Sequence, residues 1–272
     1  MLRRDFYLIC VRPFITPCNN ITMKLYLYAV IITLFISPVI TNAQIHKMKP
    51  LNELINTKEP GWELVQKWIK AATNHIEVLP KDSARADHAL YLTQVTTRSP
   101  MGAIIHETGG LLVDHGWIRV LGSGHEKLNR SLPAWNKGKS YTNEGEQPGF
   151  LLIADDVLGG FFAINAGGLS SQGIGSVFYF APDNLEWENM EIGYSDFITF
   201  CCSGDLKQFY QDFRWTGWED DVAKMSGTQG MSFFPFLFTK EGKDINNTSK
   251  KPVPVEELWT LQNEHTKDAG HH

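Results

Sequence analysis

Apolar residues follow three successive rhythms along this chain: helical, then strand-like, then helical again. Leu51, Leu54 and Ile55 share one face of a short helix, and Trp62, Val65, Trp68, Ile69 and Ala72 continue at i, i+3, i+4, i+7 spacing. Pro60 suits the first turn of that second helix. Asp82 or Ser83 caps a third helix toward Gln94, with Ala86, Ala89 and Leu90 inward. Val95–Ser99 then leads into a β region. Ala103–His106 and Leu111–Val113 flank Glu107-Thr108-Gly109-Gly110 and predict a hairpin. Trp117–Leu121 extends it as far as Gly122-Ser123-Gly124, where the glycines supply a tight turn.

Leu128–Gln147 is polar and reads as a long surface connection, placed to lie over a site. Three short apolar runs follow, Phe150–Ala154, Phe161–Ile164 and Val177–Ala181, and Leu185–Glu188 alternates like a fourth strand. Asp155–Gly160 is the first turn between them, and Asn165–Gly175 is a Gly- and Ser-rich connection. This spacing predicts an antiparallel meander. Ser195 caps a helix over Phe197–Cys202, and Ser203-Gly204-Asp205 starts another carrying Leu206, Phe209, Tyr210 and Phe213. Phe233–Phe238 is a last strand or docked segment, and the chain from Lys240 reads as polar and loose. The expected architecture is α+β, a central antiparallel sheet flanked by N-terminal and C-terminal helices. Its boundaries are a leader and signal peptide at 1–43, a single domain at 44–240 and a polar tail at 241–272.

The N-terminal pattern changes the picture of location. Met23-Lys24 precedes a short apolar run, Leu25–Ile36, then Ser37-Pro38, with small residues ending at Ala43. That layout is an export signal, and the run is short for a membrane span of about 20 residues. A start at Met23, cleavage after Ala43 and a periplasmic or secreted chain are expected, with a membrane anchor or a cytoplasmic location as the alternatives. Residues 1–43 hold four of the 25 basic and one of the 30 acidic residues, which leaves a net charge of −8 on the remainder. An acidic body disfavours phosphate-backbone binding, so no nucleic-acid partner is expected, and it suits a basic protein partner. Cys201 and Cys202 are adjacent, too strained to bridge each other, and fit packing on a helix. No CxxC pair or phosphate loop is present, and no motif implies a cofactor or a metal.

Candidate chemistry is sparse. Asp155 and Asp156 are adjacent at a strand end and point to opposite sides, so turn-forming carboxylates fit better than an acid–base dyad. His106-Glu107 and Asp114-His115 fall on the two arms of the expected hairpin, where they could approach as an acid–base or hydrolytic group. Trp135, alone in the polar connection, is the best candidate for an exposed aromatic that anchors a protein or stacks on a sugar. Two functional classes follow. One is a non-enzymatic protein-binding module whose face includes Trp135, Asp155, Asp156, Asn165, Gly167 and Gly168. The other is an exported hydrolase or carbohydrate-binding protein using His106, Glu107, Asp114 and His115.

Several blocks together resemble a bacterial domain-of-unknown-function family, number 2625. They are LNELINTKEP with the Trp-rich helix (51–69), LPKDSARADHALYLTQVTTRSPMGAII (79–105), DHGWIRVLGSG (114–124), GFLLIADDVLGGFFAINAGG (149–168), VFYFAPDNLEWE (177–188) and SGDLKQFYQDFRWTGWE (203–219). The order of Leu121–Gly124, Ile153–Ile164 and Ser195–Phe200 is also distantly similar to the SUKH superfamily of bacterial immunity proteins. That resemblance implies an α+β fold with a central antiparallel sheet and a binding role, many members neutralising secreted toxins. The export signal departs from it, because it places the chain outside the cytoplasm.

Overall fold

The computed structural model describes residues 47–269. The leader and the expected export signal lie outside the described residues. In chain order the elements are α1 (Leu51–Leu54), α2 (Trp62–Lys70), β1 (Ile76–Pro80), α3 (Ser83–Thr93), α4 (Pro100–Glu107), β2 (Thr108–Val113), β3 (Ile118–Leu121) and α5 (Leu132–Asn136). Next come β4 (Phe150–Asp156), β5 (Phe161–Asn165), β6 (Val177–Ala181), β7 (Glu186–Asn189), α6 (Tyr194–Ser203) and α7 (Leu206–Phe209). The described chain closes with α8 (Trp218–Lys224), β8 (Gln229–Phe234), β9 (Ser249–Pro254) and α9 (Val255–Ala269).

Strands β1 to β7 form one sheet in sequential order, every neighbouring pair antiparallel. The expected α+β class is therefore the observed one, and the meander extends through all seven strands. Both faces of the sheet are covered, which is why its central strands read as unbroken apolar runs instead of alternating ones. Phe162 packs on Phe197 of α6, ring centroids 4.9 Å apart. Its neighbour Phe161 points the other way, to Trp135 of α5 and Trp259 of α9.

Two expectations fail for local reasons. Ala103–His106 is not a hairpin arm but the body of α4. Ser99 caps this helix by accepting the Gly102 N–H at 3.1 Å, and Pro100 occupies its first turn. Three apolar residues in a row cannot distinguish a buried helix from a strand; the Ser-Pro start does. Gly109 and Gly110 then fall inside β2 rather than in a turn. A Cβ on Gly109 would lie 2.6 Å from Cβ of His125, so glycine there permits close approach of two chain segments.

The described chain after Lys240, residues 241–269, is also not loose. β9 pairs with β8 across six residues, and α9 buries Val255 and Leu258. Pro252 and Pro254 are tolerated because β9 has a partner on one side only. On the other side of the sheet, α6 buries Cys201 and Cys202 as packing residues. Burial lifts both thiols, Cys202 to about 11.

Candidate interaction face

Asp155 and Asp156 end β4, both with no exposed surface, and their carboxylates diverge to opposite faces of the sheet. Asp155 lies directly across from Arg119 of β3. Its carboxylate accepts from Arg119 Nε at 2.6 Å and from Arg130 Nη1 at 2.5 Å. Arg119 also donates to the Gln229 carbonyl, and Arg130 to the Gly227 carbonyl at 2.8 Å. The cluster clamps the segment that enters β8 onto the main sheet. Burial pushes the Arg119 guanidinium below its usual value, and Asp155 opposes that shift.

Asp156 does the equivalent on the other face. One carboxylate oxygen accepts from the Leu158 and Gly160 N–H groups at 2.9 and 2.8 Å, which shapes the β4–β5 turn. The other accepts the hydroxyls of Tyr179 and Tyr210 at 2.7 and 3.0 Å. Burial raises the Asp156 carboxyl, against the lowering effect of those hydrogen bonds. Both acids are walled off inside the protein, so neither presents a surface to a partner. Arg119, Arg130 and the two tyrosines carried no sequence signal for these roles, because the register of distant strands sets them.

The other four candidates do not come together. His106 and Glu107 end α4, whereas Asp114 and His115 follow β2, so the six residues of β2 hold the pairs about 20 Å apart. Each has its own partners. His106 sits between Glu107 at 2.6 Å and Asp87 at 3.3 Å, and Glu107 pairs with Lys81 at 2.9 Å. Burial works to raise the Glu107 carboxyl, but Lys81 and His106 together hold it below the usual range. Asp114 pairs with Arg214, and His115 stacks on His75 with centroids 4.3 Å apart. A hydrolytic centre using all four is excluded by this geometry.

Trp135 is buried, with 4% of its surface exposed. Arg130 and Lys139 lie over its ring at 4.6 and 4.0 Å, and Lys139 pairs with Glu256 of α9 at 2.9 Å. The first half of the polar connection, residues 128–136, is thus a fitted part of the core, and the second half lies toward the surface. Asn136, missed in the sequence, explains how it is attached. Its side-chain amide donates to the Leu152 carbonyl and accepts the Leu152 N–H, both at 2.8 Å, in place of a neighbouring strand.

What reaches the surface is a cleft and the loop beside it. The cleft, about 470 Å³, lies between the end of α3, the 145–148 segment and residues 47–49. Leu92, Val95, Leu132, Pro133 and Leu151 supply apolar lining, and Lys47, Lys49 and Glu146 supply charge. Its volume falls in the range of ligand or peptide sites. Gln94 fixes the N-terminal wall, accepting from Lys49 N at 2.7 Å and donating to Lys49 O at 3.2 Å.

The Asn165–Gly175 loop abuts the opposite end of the 145–148 wall. Gly168 donates to the Gly149 carbonyl at 2.7 Å, and a Cβ on Gly168 would meet Gly149 backbone at 2.8 Å. Gly167 has φ +104°, which a side chain would strain. The fully buried Asn165 organises the rest. Its oxygen accepts from Gly167 N and Leu169 N at 2.8 and 3.2 Å, and its amide donates to the carbonyls of Ser170 and Gln172 at 2.8 and 2.9 Å. Backbone N–H groups that could cradle an anion are therefore already filled by the chain's own amide. The loop holds Ile174 outward with 68% of its surface exposed.

This is an α+β protein built on a seven-stranded antiparallel meander, with a preformed loop and cleft at one end of the sheet. The chain belongs to the family described as "Protein of unknown function DUF2625", whose profile matches residues 51–258. It is 43% identical over 215 residues to "Putative uncharacterized protein YbfG" of Escherichia coli K12, covering 79% of this chain and 96% of that protein. It is 41% identical over 209 residues to an "Uncharacterized protein" of Haemophilus influenzae, covering 77% of this chain and 91% of that one. No solved structure matches the chain significantly.

Proposed function

We propose that this protein is a non-enzymatic binding module, immunity-like in type, which engages a partner protein outside the cytoplasm. One observation carries the reading: the 165–175 loop is braced from within by the hydrogen bonds of buried Asn165 and yet displays an exposed aliphatic side chain, Ile174. A loop rigid before binding loses little conformational entropy on association. The apolar cleft beside it offers a second point of contact. The resemblance to SUKH immunity proteins, whose members act mainly by binding, supports the same reading. Export rests on the basic and apolar pattern of residues 23–43. Among the described residues no helix is long and apolar enough to cross a membrane.

The test is site-specific photocrosslinking in native cells, with a benzophenone side chain replacing Ile174. The same replacement at Leu64, an exposed leucine on α2, is the control. A defined protein adduct at position 174 and none at 64 supports the reading. No defined protein adduct at 174 would sink it.

A further inference from the structure

Between Lys139 and Lys207 the sequence has ten acidic residues and no Lys, Arg or His. Asp155 and Asp156 are consumed inside the fold. Glu186, Glu188 and Glu191 are exposed on β7 or just beyond it. None of these three forms an ion pair among the described residues. β7 is also an edge of the sheet, paired with β6 on one side only. An edge strand turns alternate N–H and C=O groups outward, ready for another strand. Left-handed residues, Leu185 at φ 61° and Glu191 at φ 58°, bound the strand on either side. The Gly-rich loop meets its far end, since a Cβ on Gly173 would lie 2.5 Å from the Asn189 amide. Gly173, and Ile174 next to it in the chain, thus lie at the Asn189 end of β7.

We propose that β7 accepts an extended basic segment of a partner protein as an added strand. Lys or Arg side chains of that segment pair with Glu186 and Glu188, which share one face of β7. An apolar side chain at the end of the segment rests on Ile174. Main-chain hydrogen bonds supply affinity and the alternating side chains supply selection. Charge decides the occupant. A second copy pairing through β7 would set glutamate against glutamate, which is destabilising, and an anionic surface would be repelled. This inference rests on the protein-binding reading and names the chemistry of its partner.

The test uses the purified full chain and two synthetic peptides of equal length, one alternating Lys and Val, the other Glu and Val. Binding is read by fluorescence anisotropy and backbone protection by amide exchange. The Lys/Val peptide is expected to bind and to slow exchange within residues 186–189, and the Glu/Val peptide is not. Glu186→Lys with Glu188→Lys should weaken binding about tenfold at low ionic strength, and less in high salt. The control, Glu219→Lys with Asp220→Lys on α8, should change it by less than about twofold. Three outcomes overturn the proposal: no binding of the Lys/Val peptide, binding unaffected by the β7 charge reversals, or binding without slowed exchange at β7. A partner crosslinked through position 174 that still binds the β7 variant undiminished refutes strand addition and leaves the protein-binding reading intact. Absence of any partner at 174 removes that reading itself.

Discussion

Replacing Asp155 with alanine should be among the most damaging single changes in this protein. The carboxylate is fully buried and serves two guanidinium groups, Arg119 with 2% and Arg130 with 9% of their surface exposed. Breaking one buried pair by removing a partner costs roughly 3–5 kcal/mol, because a charge is left desolvated and uncompensated. Here two cations lose their only shared anion, so a loss of about 5 kcal/mol is expected, a large part of the 5–15 kcal/mol that typically holds a domain folded. Urea unfolding followed by tryptophan fluorescence measures it. With a slope of about 3 kcal/mol/M, the midpoint should fall by about 1.7 M. The loss has a location as well. Arg119 and Arg130 hold the Gln229 and Gly227 carbonyls, so amide exchange should accelerate at residues 227–231. The triple change Asp155→Leu, Arg119→Met, Arg130→Met removes all three charges together and should be more stable than Asp155→Ala alone. A loss below about 1 kcal/mol for Asp155→Ala, or a triple variant worse than the single one, would refute the clamp.

Other consequences follow from the same geometry. Burial, and then Asp156, pushes the Tyr179 and Tyr210 phenols well above their usual value, and burial raises Tyr194. A folded value above the unfolded one gives stability that is present below about pH 10 and lost as pH rises further. Melting temperature should therefore hold between pH 7 and 9 on this account and fall above about pH 10, a fall that Tyr179→Phe should reduce. Cys201 and Cys202, buried and with raised thiols, should stay unreactive toward a disulfide reagent at pH 8 until denaturant is added. Gly168→Ala forces a methyl onto the Gly149 backbone and should cost about 1–3 kcal/mol, read as a lower urea midpoint.

Much of the sheet was legible because its strands are short, apolar and separated by Gly, Asn and Asp. Phe150–Ala154, Phe161–Ile164 and Val177–Ala181 all lie in β4, β5 and β6. Two helix starts with a capping side chain were legible too: Asp82 accepts from Arg85 N, and Asp205 from Gln208 N, each within one turn; the expected cap at Ser195 fails, since α6 begins at Tyr194 behind Gly193 and has no side-chain cap. These signals are local, so sequence alone carries them. Residues 100–113 misled because an apolar run fits helix or strand, and Gly109-Gly110 imitates a turn while serving close contacts, Gly109 with His125 and Gly110 with Leu128 and Val120.

The candidate site shows the same division. Composition marked Asn165–Gly175 as a Gly-rich connection; the glycine requirement at 167 follows from local backbone geometry, whereas that at 168 comes from the approach of Gly149. That Trp135 is buried was not legible, because its cover comes from Arg130, Lys139 and Phe161, the last on a strand far along the chain. His106-Glu107 and Asp114-His115 looked close only while the intervening segment was taken as a turn; once β2 is extended, they part. The sequence by itself determined which residues prefer helix, strand or turn, since those preferences arise within a few neighbours. Tertiary structure alone decided which acids became core, which aromatic was covered and which edge stayed open, because strand register and the packing of both sheet faces join residues tens of positions apart.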